Sequence, residues 1–214
     1  MHNIITLARQ WESLFEEKVR AMSGDDPSHD LLHIKRVVKT AKHLAELEGG
    51  NLMIIIPAAW LHDIVRIPKD DPKRIFASRL SAEEAITFLK QIGYPEEWFV
   101  EIFHAIEAHS FSAQIEPKTW EAKIIQDADR LDAIGAIGIA RCFTTGGLLG
   151  RPLYSPEDPF CKKRTPEDQR FSLDHFYKKL FKIANSLHTP SSRQEGLRRV
   201  EAMKFYIQEL SREL

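Results

Sequence analysis

The sequence predicts an all-α fold, a single helical domain over residues 1–214. Three observations carry that expectation. Apolar residues recur at helical spacing along most of the chain, no stretch sustains the alternation of a strand, and glycines and prolines cluster where helices would have to stop. The pattern corresponds to a bundle of about seven to nine helices without a significant sheet. A chain of 214 residues buries enough apolar surface to fold without staples.

A first helix is expected from Ile4 to Met22, broken by Ser23-Gly24-Asp25-Asp26-Pro27. A second opens near Ser28 and stops at Gly49-Gly50, residues suited to the position past a helix C-terminus. The third, Leu52 to Val65, is apolar on nearly all sides and should be the central buried helix. A basic, proline-containing loop from Arg66 to Arg79 follows. Ser81 precedes Glu84 by three residues, a capping box for the next helix, which stops at Gly93. Pro95 suits the first turn of a helix to Ala108. Thr119 can cap a helix carrying Ile124 to Ile139 and ending at Gly146-Gly147. Residues 146–170 hold three glycines and four prolines and read as a lid-like loop. Helices from Ser172 to Leu187 and from Pro190 onward close the chain.

Lys plus Arg number 30 and Asp plus Glu 31, so no global positive field recruits nucleic acid, and a small substrate fits better than a polymer. Cys142 and Cys161 are too few and too far apart for a disulfide scaffold or a zinc knuckle, and read as reduced thiols. The N-terminus lacks the basic-then-apolar pattern of a signal peptide. The apolar run Leu52–Leu61 is too short to span a bilayer. A cytoplasmic protein that engages no membrane is expected, of unknown oligomeric state.

The chemistry centres on His62-Asp63, at the end of the most hydrophobic helix. A charge buried there costs several kcal/mol unless it is paired or metal-bound. Alone, the dipeptide would be an ordinary helix-end pair. It has company, however. His33 shares a helix face with Val37, Ala41 and Leu44, all apolar. Asp129 shares one with Ala122, Ile125, Ala133 and Ala136. Two imidazoles and two carboxylates are thus predicted to face the core, and a divalent cation among them would satisfy all four.

In order and context these pieces resemble the HD superfamily of metal-dependent phosphohydrolases. The matching segments are Ser28-His29-Asp30-Leu31-Leu32-His33-Ile34-Lys35-Arg36-Val37, Trp60-Leu61-His62-Asp63-Ile64 and Gln126-Asp127-Ala128-Asp129-Arg130-Leu131-Asp132. The segment His104–Ser112 and the stretch Ser155-Pro156-Glu157-Asp158-Pro159-Phe160 also take part. The likeness spans most of the chain and is greatest to small, single-domain bacterial members, some of which cleave nucleoside triphosphates. It implies a metal core over about 28–140, with His33, His62, Asp63 and Asp129 as ligands. Asp127 and Asp132 are near alternatives to Asp129, Asp132 also as a partner of a ligand.

Such nitrogen and oxygen ligands suit Mn, Mg, Co, Ni, Fe or Zn, with Mn or Mg favoured. The ion would lower the pKa of a bound water and polarise a phosphoryl group. His104 and His109 are candidates for phosphate contact, proton donation or a second metal. Their spacing of five puts them on different helix faces unless His109 lies past the helix end. Arg66 and Lys69 can reach substrate phosphates, as can Arg130 and the loop residues Lys162, Lys163 and Arg164. For each of these a solvated surface charge is the commoner role. His2, His29, His43, His175 and His188 have no recommending spacing.

The resemblance implies hydrolysis of a small phosphorylated molecule. A nucleotide is the leading substrate, with cleavage of a triphosphate to monophosphate and pyrophosphate the specific expectation. A nucleoside monophosphate phosphatase and a cyclic phosphodiesterase are alternatives. A diiron oxygenase and a non-catalytic metal-binding regulatory module are rivals of other classes.

Overall fold

A computed structural model of the chain describes residues 2–22, 31–67 and 71–214, with side chains from residue 11 onward. The expected helix start at Ser28 and the break at 23–27 lie outside the described residues, as do His29 and Lys69. The described chain is all-α: no residue in it forms a strand. It divides into two compact units, Met1–Asp129 and Arg130–Leu214.

In the first unit α1 (His2–Met22) and α2 (Leu31–Glu48) lead to α3 (Leu52–Leu61). Asn51 caps α3, its side chain accepting from the Met53 N–H at 2.9 Å. Gly49 and Gly50 both have positive φ, at 81° and 118°, and turn the chain between α2 and α3. At Gly50 a Cβ would also meet the Ile55 side chain at 2.8 Å, so glycine answers two demands there. Every residue of α3 from Met53 to Leu61 is buried, and the helix packs against α1, α2 and α5 (Phe99–Glu107). The central position expected from its composition is the one it occupies.

Pro57 sits inside α3, where proline has no N–H to give the carbonyl four residues back. That carbonyl is Met53's, and the Tyr94 hydroxyl donates to it at 2.7 Å. Burial pushes the Tyr94 hydroxyl well above the usual tyrosine pKa, so it stays a donor. Two tryptophans do more than pack. Trp60 Nε1 donates to Glu12 Oε1 at 2.9 Å, and Trp120 Nε1 to the Glu48 carbonyl at 3.1 Å.

Three local expectations need correction here. Ser81 opens no helix: a 3₁₀ turn at Pro72–Phe76 runs into α4 (Ala77–Gln91), placing Ser81 in the second turn. Its hydroxyl instead accepts from the Val65 N–H at 3.1 Å, an acceptor that the Glu84 spacing disguised as a cap. Pro95 stands just before a short 3₁₀ turn at Glu96–Trp98, and α5 begins only at Phe99. The helix at Leu52 ends at Leu61 rather than Val65, with His62 as its C-cap.

The expected helix through Ile139 is two helices. α6 (Trp120–Asp132) ends before Ile134, which is extended (φ −127°, ψ 168°), and α7 (Gly135–Leu148) follows. Gly135 has φ +78°, and a Cβ on Gly138 would collide with the Ala133 carbonyl. Glycine at these positions permits the corner, and Ala133 and Ala136 lie outside α6, the helix that carries Asp129. Nor do Gly146-Gly147 end α7, which runs through both to Leu148. The Gly146 Cα is instead close to Ser172, where a side chain would clash.

Within the second unit, residues 149–173 contain no helix. The segment is tied by its own side chains. Asp158 accepts backbone N–H bonds from Lys162, Lys163 and Arg164. The Arg164 guanidinium forks onto the buried Asp174 carboxylate at 2.5 and 2.6 Å, and Glu167 N–H adds a third bond at 2.6 Å. A π-helical turn at Phe176–Leu180, α8 (Phe181–Ile183) and a 3₁₀ turn at Ala184–Ser186 replace the regular helix expected there. α9 (Pro190–Glu213) starts at Thr189, whose hydroxyl accepts from Ser192 N–H. Phe143, Phe181 and Tyr206 form an aromatic cluster around the buried Phe176 in this unit.

Two outcomes are expected. Tyr94→Phe leaves the Met53 carbonyl buried without a donor and should cost about 1–3 kcal/mol in denaturant unfolding. Asp174→Asn breaks a buried ion pair and should cost about 3 kcal/mol near neutral pH. Burial alone would raise the Asp174 pKa, but Arg164 and the Glu167 N–H hold it below the ordinary 3.8. The stabilisation is therefore complete above 3.8 and lost as pH falls through the lower folded value. Thermal melts of the two proteins should converge only below that pH.

Candidate metal centre

His33 lies on the buried face of α2 with Val37, Ala41 and Leu44, and is 1% exposed. His62 caps α3 and is fully buried. Asp63 follows in the turn, its side chain 24% exposed. Asp129 is on α6, one turn beyond the buried Ile125, its side chain 28% exposed. His109 comes two residues after the end of α5 and is buried.

The structure brings these five side chains together. His33 Nε2 is 3.5 Å from Asp129 Oδ1 and 4.0 Å from Asp63 Oδ2. His62 Nε2 is 3.9 Å from both Asp63 Oδ2 and Asp129 Oδ1. His109 Nε2 is 3.4 Å from Asp63 Oδ1. Two overlapping groups, His33–His62–Asp129 and His62–Asp63–His109, each place three ligand atoms within 4.8 Å of one another. Ligands bound at about 2.1 Å stand roughly 3.0–3.5 Å apart around one ion, close to these separations.

The imidazoles are oriented from behind. His62 Nδ1 donates to the Ala59 carbonyl at 2.9 Å, and His109 Nδ1 to the Ile106 carbonyl at 2.6 Å. A carbonyl only accepts, so both Nδ1 atoms carry the proton and both Nε2 atoms face the cluster. His62 Nε2 is buried and has no hydrogen-bond partner. Burial holds the His62 pKa down to about 4, the Asp63 and Asp129 charges notwithstanding. It is a neutral nitrogen with its lone pair aimed at two carboxylates, an arrangement a cation resolves. The donor set thus fits a divalent metal ion.

His109 behaves oppositely. Burial works against its charged form, but the hydrogen bond and charge of Asp63, the Asp129 charge and the Ile106 carbonyl outweigh burial and raise its pKa. Gln126, which sequence reasoning missed, donates from Nε2 to the Ala108 carbonyl at 2.6 Å, fixing the backbone beside His109 to α6.

His104 is not brought into either group. Its Nε2 accepts from the Lys118 N–H at 2.9 Å, pinning the chain after α5. Asp127 and Asp132, the alternatives to Asp129, are in neither group. Asp127 is fully buried, and Asp132 pairs with Arg141 at 2.9 Å. Arg130 Nη1 donates to the Ser186 carbonyl at 2.6 Å, and Arg164 is committed to Asp174. Neither Cys142 nor Cys161 is in a disulfide, and Cys142 Sγ donates to the Ser172 carbonyl at 3.3 Å. No described helix is long and apolar enough to cross a membrane.

An all-helical unit with histidines and aspartates from four places in the chain converging on one point forms a centre that could hold a metal ion. The HD domain family matches residues 31–134. The uncharacterised protein YpgQ of Bacillus subtilis is 30% identical over 197 residues, covering 90% of this chain and 88% of YpgQ. The crystal structure of YpgQ in complex with ADP superposes with a TM-score of 0.74 at 29% identity, over 97% of this chain and 96% of that one. An HD-superfamily hydrolase from Bacillus thuringiensis gives 0.74 at 34% identity, over 96% and 97%. The chain belongs to the HD domain family, with the fold of its hydrolases.

In metal-free protein the His109 imidazole should titrate above the usual histidine value of 6.5, and Asp63→Asn should bring it down. NMR titration of the ring resonances reads both. A raised folded pKa stabilises below the unfolded value and loses that contribution as pH rises through the folded one. The wild-type advantage over Asp63→Asn should therefore shrink with rising pH.

Proposed function

We propose that this chain is a divalent-metal-dependent phosphohydrolase of nucleotides, cleaving nucleoside or deoxynucleoside triphosphates to monophosphate and pyrophosphate. The observation that carries the reading is the buried, unpartnered His62 Nε2 facing two carboxylates. His33, His62, Asp63 and Asp129 would hold the ion, Mn or Mg being favoured. When bound, the ion would lower the pKa of a water and polarise a phosphoryl oxygen. YpgQ, similar over nearly its whole length, was crystallised with ADP, which supports a nucleotide as ligand.

The chain's own residues supply the rest. Ala59 and Ile106 carbonyls lock the two imidazoles in the tautomer that presents Nε2. Asp63 raises the proton affinity of His109, whose Nε2 lies 3.4 Å from Asp63 Oδ1 beside the site. A proton held there would be placed for delivery to a leaving oxygen.

Protein stripped of metal, then reloaded with Mn, Mg, Co, Ni, Fe or Zn, should be offered nucleoside tri-, di-, mono- and cyclic phosphates, with pyrophosphate and orthophosphate detected separately. The expected result is pyrophosphate from triphosphates. Asp63→Ala should reduce it by two orders of magnitude or more while the helical circular dichroism survives. Orthophosphate alone would favour a phosphatase. No phosphorus chemistry with any metal, together with two bound irons and oxygen uptake, would overturn the reading in favour of an oxygenase.

A further inference from the structure

We propose that Arg66 and Ser78 form an anion subsite that holds a phosphate of the substrate beside the His/Asp cluster. The inference rests on the reading that the substrate is phosphorylated. It starts from two buried polar atoms the fold leaves unsatisfied.

Arg66 stands three residues after Asp63, in the segment that leaves α3. The backbone of that segment is gripped on both sides of Arg66. Ser81 Oγ accepts from the Val65 N–H at 3.1 Å, and Arg74 Nη1 donates to the Ile67 carbonyl at 2.7 Å. Both gripping residues belong to the continuous helical run made by the 3₁₀ turn Pro72–Phe76 and α4. Ser78 lies between them, one turn before Ser81 and one turn after Arg74, on the side that meets residues 65–67.

Ser78 is 2% exposed and its hydroxyl has no hydrogen-bond partner. A helical serine can bond back to the carbonyl four residues earlier, and this one does not. Arg66 Nη1 is also buried with no partner. A guanidinium N–H withheld from water and from any acceptor is costly, more so than a neutral donor. One of these donors belongs to the clamped segment and the other to the helical run that clamps it, and what both lack is an acceptor. Arginine's planar fork suits phosphate oxygens, and a hydroxyl donor beside it completes the pattern for one tetrahedral anion. Two other cations of this element are engaged: Arg79 meets Glu83 and Glu107, and Arg74 is on Ile67. The ligand class is the phosphate or diphosphate portion of a nucleotide, or free pyrophosphate.

The test is binding of inorganic pyrophosphate to metal-free protein by calorimetry, with Mn²⁺ affinity measured separately by equilibrium dialysis. Wild type should bind. Arg66→Ala should weaken pyrophosphate binding at least tenfold, Ser78→Ala several-fold, and Arg66→Lys by an intermediate factor. Mn²⁺ affinity should stay unchanged in all three. The melting temperature without ligand should be unchanged or higher in Arg66→Ala, since an unsatisfied donor is removed. If Arg66→Ala fails to fold, Arg66→Lys and Ser78→Ala carry the comparison. Pyrophosphate affinity within twofold of wild type in the folded variants overturns the subsite, as does a parallel loss of Mn²⁺. So does a wild type that turns nucleotides over without binding pyrophosphate. Arg66-dependent pyrophosphate binding in a protein that cleaves no nucleotide keeps the subsite and overturns the hydrolase reading.

Discussion

The first unit depends on burying an imidazole at the end of an apolar helix. α3 has no polar face, so whatever terminates it is carried into the core. His62 is that terminator, and its proton goes to the Ala59 carbonyl, one of the acceptors every helix end leaves open. One interaction thereby caps the helix, fixes the tautomer and leaves a lone pair inside the protein. His33, Asp63, Asp129 and His109 surround that lone pair from α2, the α3 turn, α6 and the turn after α5. Without the Nδ1 bond the ring could turn over, and the donors would have nothing to converge on.

The helix carrying this terminator is itself held by an unusual substitution. Pro57 removes a rung from its hydrogen-bond ladder, and the Tyr94 hydroxyl fills the vacancy from outside. The same economy appears around residues 65–67, where Ser81 and Arg74 supply to an irregular segment the bonds that a helix would have made internally. In the second unit the buried Asp174 performs this service for residues 164–167. Each is a case of one side chain satisfying backbone or charge that local structure leaves open.

Much of the candidate site was legible because its residues contradict their surroundings. A histidine among Val37, Ala41 and Leu44 and a His-Asp pair after an unbroken apolar run are polar groups where helical periodicity demands apolar ones. Other parts carried no such mark. Gln126 looks like any polar residue before an acidic run, and its bond to the Ala108 carbonyl depends on how α6 meets the end of α5. Ser78 is one of many serines, and its burial comes from the fold around it rather than from any local pattern.

By itself the sequence determined the helical class, the centrality of α3 and the nomination of His33, His62, Asp63 and Asp129, because periodicity and burial are written in local composition. Tertiary structure decided between His104 and His109. Five residues apart, they cannot share a face of one helix. Ending α5 at Glu107 frees His109 to turn toward Asp63, while His104 stays on the helix and takes the Lys118 N–H. It also decided the α6–α7 corner, since Gly135 and Gly138 merely permit a turn. Arg164 was likewise decided there: its charge could serve a ligand or Asp174, and only the packing of the chain around it selects Asp174.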